Sequence, residues 1–187
     1  MTIGETAGFA IAAGVAIGAS TLGVSDPWRY LLVVFAGAVE GTVLGGAQLI
    51  GMGGGRPDAA KWLVATATGA ALAWSIGMLP TVLPLQFVTP IGFATAAVAA
   101  LMLLASIPTL QWAVIRRRKR AGRWIPVNAG AWAAGVLWTI APSPLIDEST
   151  PTGVLVAVYV AAGLLMAGTV AVLTATTARS LFGHPVA

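Results

Sequence analysis

The chain contains no cysteine, a single histidine and six carboxylates in 187 residues, and each shortage removes a class of chemistry. Without cysteine there is no disulfide, no thiolate metal site and no cysteine nucleophile. His184 stands beyond the last apolar run and reads as a solvated tail residue. A Ser/His/Asp triad, haem ligation and a histidine-based zinc site are therefore unsupported. Charge is the scarcest resource: 9% of residues are charged, against about 25% in a soluble domain. Since 58% are hydrophobic, polar groups cannot cover the surface and the chain needs a lipid bilayer as its solvent. Lys and Arg outnumber Asp and Glu, but they fall in short turns between apolar runs, which argues against a nucleic-acid partner. The expectation is a non-enzymatic membrane protein without catalytic residues, cofactor or metal.

Six apolar runs follow one another. The first, Ala7 to Gly23, lacks the basic start and cleavage site of a signal peptide and reads as a retained helix. Ala12, Ala16 and Ser20 form a small-residue strip along it. The others run from Trp28 to Met52, Trp62 to Met78, Ile91 to Ile115, Trp124 to Ala141 and Thr152 to Thr176. Each holds about 17–25 residues, enough to cross a hydrocarbon core of roughly 30 Å. The runs are continuous rather than alternating, which excludes a β-barrel. The fold class expected is an all-α membrane protein with six transmembrane helices in one domain, 1–187.

The turn Arg116-Arg117-Arg118-Lys119-Arg120 joins the fourth run to the fifth and sets the topology. Placing it in the cytoplasm puts Arg56, Lys61, Arg123 and Arg179 there as well, and leaves Arg29, Asp147 and Glu148 outside. By the positive-inside rule both termini are then cytoplasmic. The same five basic residues also suit anionic lipid head groups. Trp28, Trp62, Trp112 and Trp124, at the ends of runs, read as an interfacial aromatic belt; Trp74, Trp132 and Trp138 lie deeper, for packing or for walling an apolar pocket. Gly53-Gly54-Gly55 has neither a following Lys-Ser/Thr nor a preceding strand, so it is not a phosphate loop.

Two hairpins look alike. One has Gly37, Gly41, Gly45 and Gln48 before its basic turn, then Trp62; the other has Gln111 before its turn, then Trp124. Gln precedes Trp by fourteen residues in one and thirteen in the other, and four residues past each Trp stands Thr66 or Asn128. This predicts a parallel internal repeat, with units of approximately 30–79 and 91–142. With Gly41-Gly45-Gln48, Gln111-Trp112 and Arg116-Arg117, the chain resembles small, uncharacterised cyanobacterial and actinobacterial membrane proteins carrying a repeated G-x-x-x-G-x-x-Q-W hairpin. Leu49 departs from that pattern, standing where Trp is expected. The resemblance implies a helical fold in the bacterial cytoplasmic (inner) membrane and brings no reaction with it.

Glu40 is the one carboxylate inside a predicted span. An ionisable group there costs about 2.5–3.5 kcal/mol on insertion scales, so it should face protein or a wet cavity. Gln48 lies about 80° further round the same helix, and both flank the Gly37/Gly41/Gly45 ridge. Glu40 reads either as a proton- or cation-coupled site or as a hydrogen-bonded carboxyl that fixes packing. Gln48 and Gln111 cap or cross-link helix ends, or line a shared cavity; Asn128 contacts a ligand or bonds across helices. An accessory or structural membrane component is the leading expectation, docked on a membrane partner or a second copy. A small carrier or channel using Glu40 is the alternative. A second is a substrate-binding importer subunit, since six helices and the Ala12/Ala16 strip resemble the S-components of energy-coupling-factor transporters. A carrier predicts a cavity reaching Glu40; an accessory protein predicts a closed, dry bundle.

Overall fold

The structure, a computed structural model, describes residues 21–83, 88–147 and 150–183, together with 11, 14, 15, 18 and 19. The Ala12/Ala16/Ser20 strip, Glu148 and His184 lie outside the described residues. Everything regular among the described residues is helical. In chain order the helices are α1 (Asp26–Gly51), α2 (Ala59–Gly77), the single turn α3 (Leu79–Val82), α4 (Pro90–Ile115), α5 (Trp124–Ile140) and α6 (Thr152–Phe182).

Local chemistry sets the ends. Pro27 occupies the first turn of α1, where a missing N–H costs no helical bond. Asp58 caps α2 by accepting from the Lys61 N–H at 2.9 Å, so this helix starts three residues before its apolar run. Thr89 caps α4 by accepting from the Gly92 N–H at 3.0 Å. The basic turn closes through Arg120, whose φ of 63° reverses the chain before a 3-10 turn at Ala121–Arg123 leads into α5. At its end α6 runs six residues past the expected Thr176, because Thr177 to Phe182 continue the helix to plant Phe182 in the core.

Three helices, α1, α4 and α6, are long and apolar enough to cross a membrane. Bulky apolar side chains face outward from them: Trp28, Phe35, Phe93 and Val172 are each at least 65% exposed. Water would penalise such a surface and lipid does not. The shorter α2 and α5, of 19 and 17 residues, run antiparallel between them.

The closest packing is between α1 and α2, α2 and α4, and α5 and α6. Along the first pair the glycine ridge faces its neighbour as expected, with Gly37 against Trp74, Gly41 against Ala70 and Gly45 against Thr66. At Gly41 a β-carbon would stand 2.6 Å from Ala70 Cβ and 2.7 Å from the Thr66 carbonyl oxygen. Gly69 does the same between α2 and α4, 2.6 Å from Ile107 Cα. The best-packed core is at the basic-turn end, where Leu49, Met52, Trp62, Ile115, Ala121, Trp124 and Phe182 are buried together.

Candidate functional site: an amide–indole layer and a pocket beside Glu40

Polar side chains meet between the helices at two depths. At the basic-turn end, Gln48 and Gln111 stand in the last turns of α1 and α4, while Trp62 and Trp124 stand in the first turns of α2 and α5. An indole N–H can only donate, so each tryptophan fixes the amide oxygen of the glutamine facing it. Trp62 Nε1 donates to Gln48 Oε1 at 3.1 Å, and Trp124 Nε1 donates to Gln111 Oε1 at 2.9 Å. The amide nitrogen of Gln111 then joins the hairpins, donating to Gln48 Oε1 at 2.8 Å and to Thr66 Oγ1 at 2.9 Å. Thr66 Oγ1 itself donates to the Trp62 carbonyl, as Asn128 Nδ2 does to the Trp124 carbonyl. All six side chains are at most 3% exposed. Four helices are thereby cross-linked in one dry layer.

This geometry revises two readings, of Trp62 with Trp124 and of Asn128. Trp62 and Trp124 are not belt residues: their N–H groups are used inside the bundle, and their rings, with centroids 6.0 Å apart, meet Phe182 at 5.8 and 5.5 Å. Trp28, by contrast, is 65% exposed. The two glutamines cross-link helices, one of the two readings that their positions left open. Asn128 bonds one turn back in its own helix rather than across to a neighbour.

Arg118 differs from the other residues of the basic turn. Arg116, Arg117, Lys119 and Arg120 are exposed, free to meet a head group. Arg118 turns inward: its Nη1 donates to the Gly55 carbonyl at 2.6 Å and to the Leu181 carbonyl at 2.8 Å, with the guanidinium 5.0 Å from the Phe182 ring centroid. Burial lowers its pKa from the ordinary arginine value, and arginine stays cationic regardless. The clasp ties the earlier turn and the end of α6 to the basic turn. Arg118→Gln should therefore loosen the end of α6, with amide hydrogen exchange across residues 176–183 rising about tenfold or more, as loss of charged hydrogen bonds worth about 1.5–3 kcal/mol requires. Arg117→Gln should leave that exchange unchanged. Equal effects from the two would show that the clasp carries nothing.

The second group lies deeper. Glu40 is about 12 Å along α1 from Gln48, and its side chain is buried, 8% exposed. Trp74 Nε1 donates to Glu40 Oε2 at 2.7 Å. Gly37 makes this possible, because a β-carbon there would stand 2.1 Å from Trp74 Cδ1 and push the indole away. Glu40 Oε1 has no hydrogen-bond partner among the described residues, and the one ion pair among them joins Arg29 to Asp26, remote from this site. A pocket of about 250 Å³ adjoins the carboxyl. Leu44 and Ala70 line its end nearest the amide–indole layer, Gly77 and Met78 the other; Trp74 and Trp132 contribute indole surface, and Glu40 is the only charged residue in its wall among the described residues.

Chemically, such a site has room for a small apolar body beside a carboxyl-bearing side chain. Among the described residues no three His, Cys, Asp or Glu side chains converge to hold a metal ion. The carboxyl–indole pair was not visible in the spacing, since Glu40 and Trp74 are 34 residues apart with no repeated partner; the one signal was the glycine four-spacing that aligns α1 with α2. Compared with protein-family models, curated proteins and solved structures, the chain matches none.

Proposed function

We propose that the chain is a multi-pass protein of the bacterial cytoplasmic membrane that binds a small, largely apolar molecule in the pocket beside Glu40, as a carrier or as the binding subunit of an importer. The observation that carries this reading is a buried carboxyl with a free oxygen in the wall of a 250 Å³ apolar pocket. The amide–indole layer supports a one-ended site, because it fills the space between the pocket and the basic turn with packed, hydrogen-bonded side chains. In the full arrangement proposed, six helices span the bilayer, both termini and the basic turns are cytoplasmic, and the pocket serves the outer half. The matched Gln–Trp bonds support two parallel repeats, and with them the resemblance to the bacterial G-x-x-x-G-x-x-Q-W proteins.

The accessory reading draws support from one feature: the first half of α4 is bare on most of its circumference, with Ile91 81%, Phe93 72% and Leu101 67% exposed, as a partner-docking helix would be.

Infrared difference spectroscopy on the protein in liposomes tests the pocket. The Glu40 carboxyl band, assigned by its loss in Glu40→Gln, should titrate with pH and shift within minutes of transfer to deuterated water, because Glu40 lines the pocket and Trp74 bonds only one of its oxygens. A band that neither titrates nor exchanges, in a protein whose Glu40→Gln variant folds normally, would leave only the packing role.

A further inference from the structure

The pocket's charge balance identifies the class of molecule it takes. Among the described residues Glu40 is the only charged group in a wall otherwise made of Leu, Ala, Ile, Val, Met, Gly and Trp. The elements around it present no other titratable side chain to the pocket among the described residues: α2 and the residue that follows it contribute Ala70, Ala73, Trp74, Gly77 and Met78, α4 Leu103, Leu104 and Ile107, α5 Trp132 and Val136, and α6 Met166. No arginine, lysine or histidine among them neutralises the carboxylate, and a bare charge in such surroundings is strongly disfavoured. Two partners can remove it. One is a proton on the carboxyl; the other is a cation supplied by the ligand.

We propose that the pocket beside Glu40 binds a small lipophilic amine in its ammonium form, with Glu40 Oε1 accepting from the ammonium N–H and the indoles of Trp74 and Trp132 flanking the apolar body. This rests on the pocket reading above and names its ligand class. Trp74 leaves the acceptor available, because its N–H occupies only Oε2 and holds the carboxyl in place. Indole surface attracts organic cations through the ring quadrupole, most strongly where water is excluded. A hydrated metal ion does not suit the site, since one carboxyl cannot replace a shell of about six oxygens. An anion meets like charge. The proton balance follows: where Glu40 starts as a neutral carboxyl, the ammonium binds as that proton leaves, one proton released per amine bound. Proton and amine are then alternative occupants of one oxygen, which is the arrangement an exchanger needs.

The test compares tritiated 4-phenylbutylamine with tritiated 4-phenylbutanol, an equal apolar body ending in a neutral hydroxyl, on the full chain purified in detergent. Wild type should bind the amine roughly tenfold more tightly than the alcohol or better, in keeping with a desolvated charge-assisted hydrogen bond. Acidification should weaken amine binding and leave alcohol binding unchanged. Glu40→Gln should bind both compounds alike, and Ala73→Leu, which fills the pocket, should bind neither well. Equal affinity for amine and alcohol in wild type, or an amine preference insensitive to acid, would overturn the ammonium assignment while leaving the pocket standing. No saturable binding of either compound, or binding unaffected by Ala73→Leu, would remove the pocket reading and this inference together. The central comparison is made on wild type, so it does not depend on how the variants fold.

Discussion

Gly41→Leu should separate α1 from α2 and destabilise the protein by about 3 kcal/mol or more, the upper range for forced overpacking. The reason is what stands in the way. A β-carbon at position 41 would lie 2.6 Å from Ala70 Cβ, 2.7 Å from the Thr66 carbonyl oxygen and 2.8 Å from Ala67 Cα. Two of these are main-chain atoms of a helix that is itself pressed against α4 at Gly69, so α2 cannot retreat without displacing a second neighbour. Gly46→Ala on the same helix is the control: a β-carbon there would have no atom within 4 Å, and the change should be neutral or slightly stabilising, by up to about 1 kcal/mol. Thermal unfolding in detergent, followed by helical circular dichroism, reads both. A Gly41→Leu protein that melts with wild type would mean that α1 and α2 do not pack as described.

Gln111→Leu should cost nearly as much, about 3 kcal/mol, by a different route. Side-chain hydrogen bonds between membrane helices average only about 0.6 kcal/mol each, so the bonds of Gln111 to Gln48, Thr66 and Trp124 supply less than the whole. The larger part comes from Trp124, which is 1% exposed and would keep a buried N–H with no acceptor, at about 1–3 kcal/mol. That origin makes a second prediction about the same side chain. Gln111→Leu combined with Trp124→Phe should be less destabilised than the two single changes added together, because the orphaned donor goes with the indole. A double-mutant cycle on unfolding free energies gives the sign of the coupling. Strict additivity would show that the Gln111–Trp124 bond contributes nothing to the fold.

Much of the helical frame was legible in the chain. Apolar runs placed the helices from Asp26 onward to within a few residues, and the basic turn after Ile115 stands where expected. The departures have local causes: Asp58 caps α2 early, and Phe182 draws α6 onward into the core. Part of the candidate site was legible too. Near-equal spacing from Gln to Trp, fourteen and thirteen residues, and equal spacing from Trp to a polar residue one turn on, marked Gln48, Gln111, Thr66 and Asn128 in the sequence. Glu40 stood out through the cost of a carboxyl in an apolar run. Its partner did not, and neither did the inward turn of Arg118 or the burial of Trp62 and Trp124.

The amino-acid sequence by itself determined a helical chain suited to lipid, the order of its long helices, and the few polar residues that must find partners inside it. Tertiary structure alone decided which way each helix faces, and so which partners those residues find. The physical reason lies in the solvent. A helix in water reveals its buried face because the other face is polar, whereas in lipid the outward face is as apolar as the inward one and drives no phase preference. Rotation is then set by what fits and bonds at close range: Gly41 against Ala70, Gln48 with Trp62, Trp74 with Glu40. The pocket beside Glu40 is a product of those contacts, lined by five helices that no spacing in the chain relates.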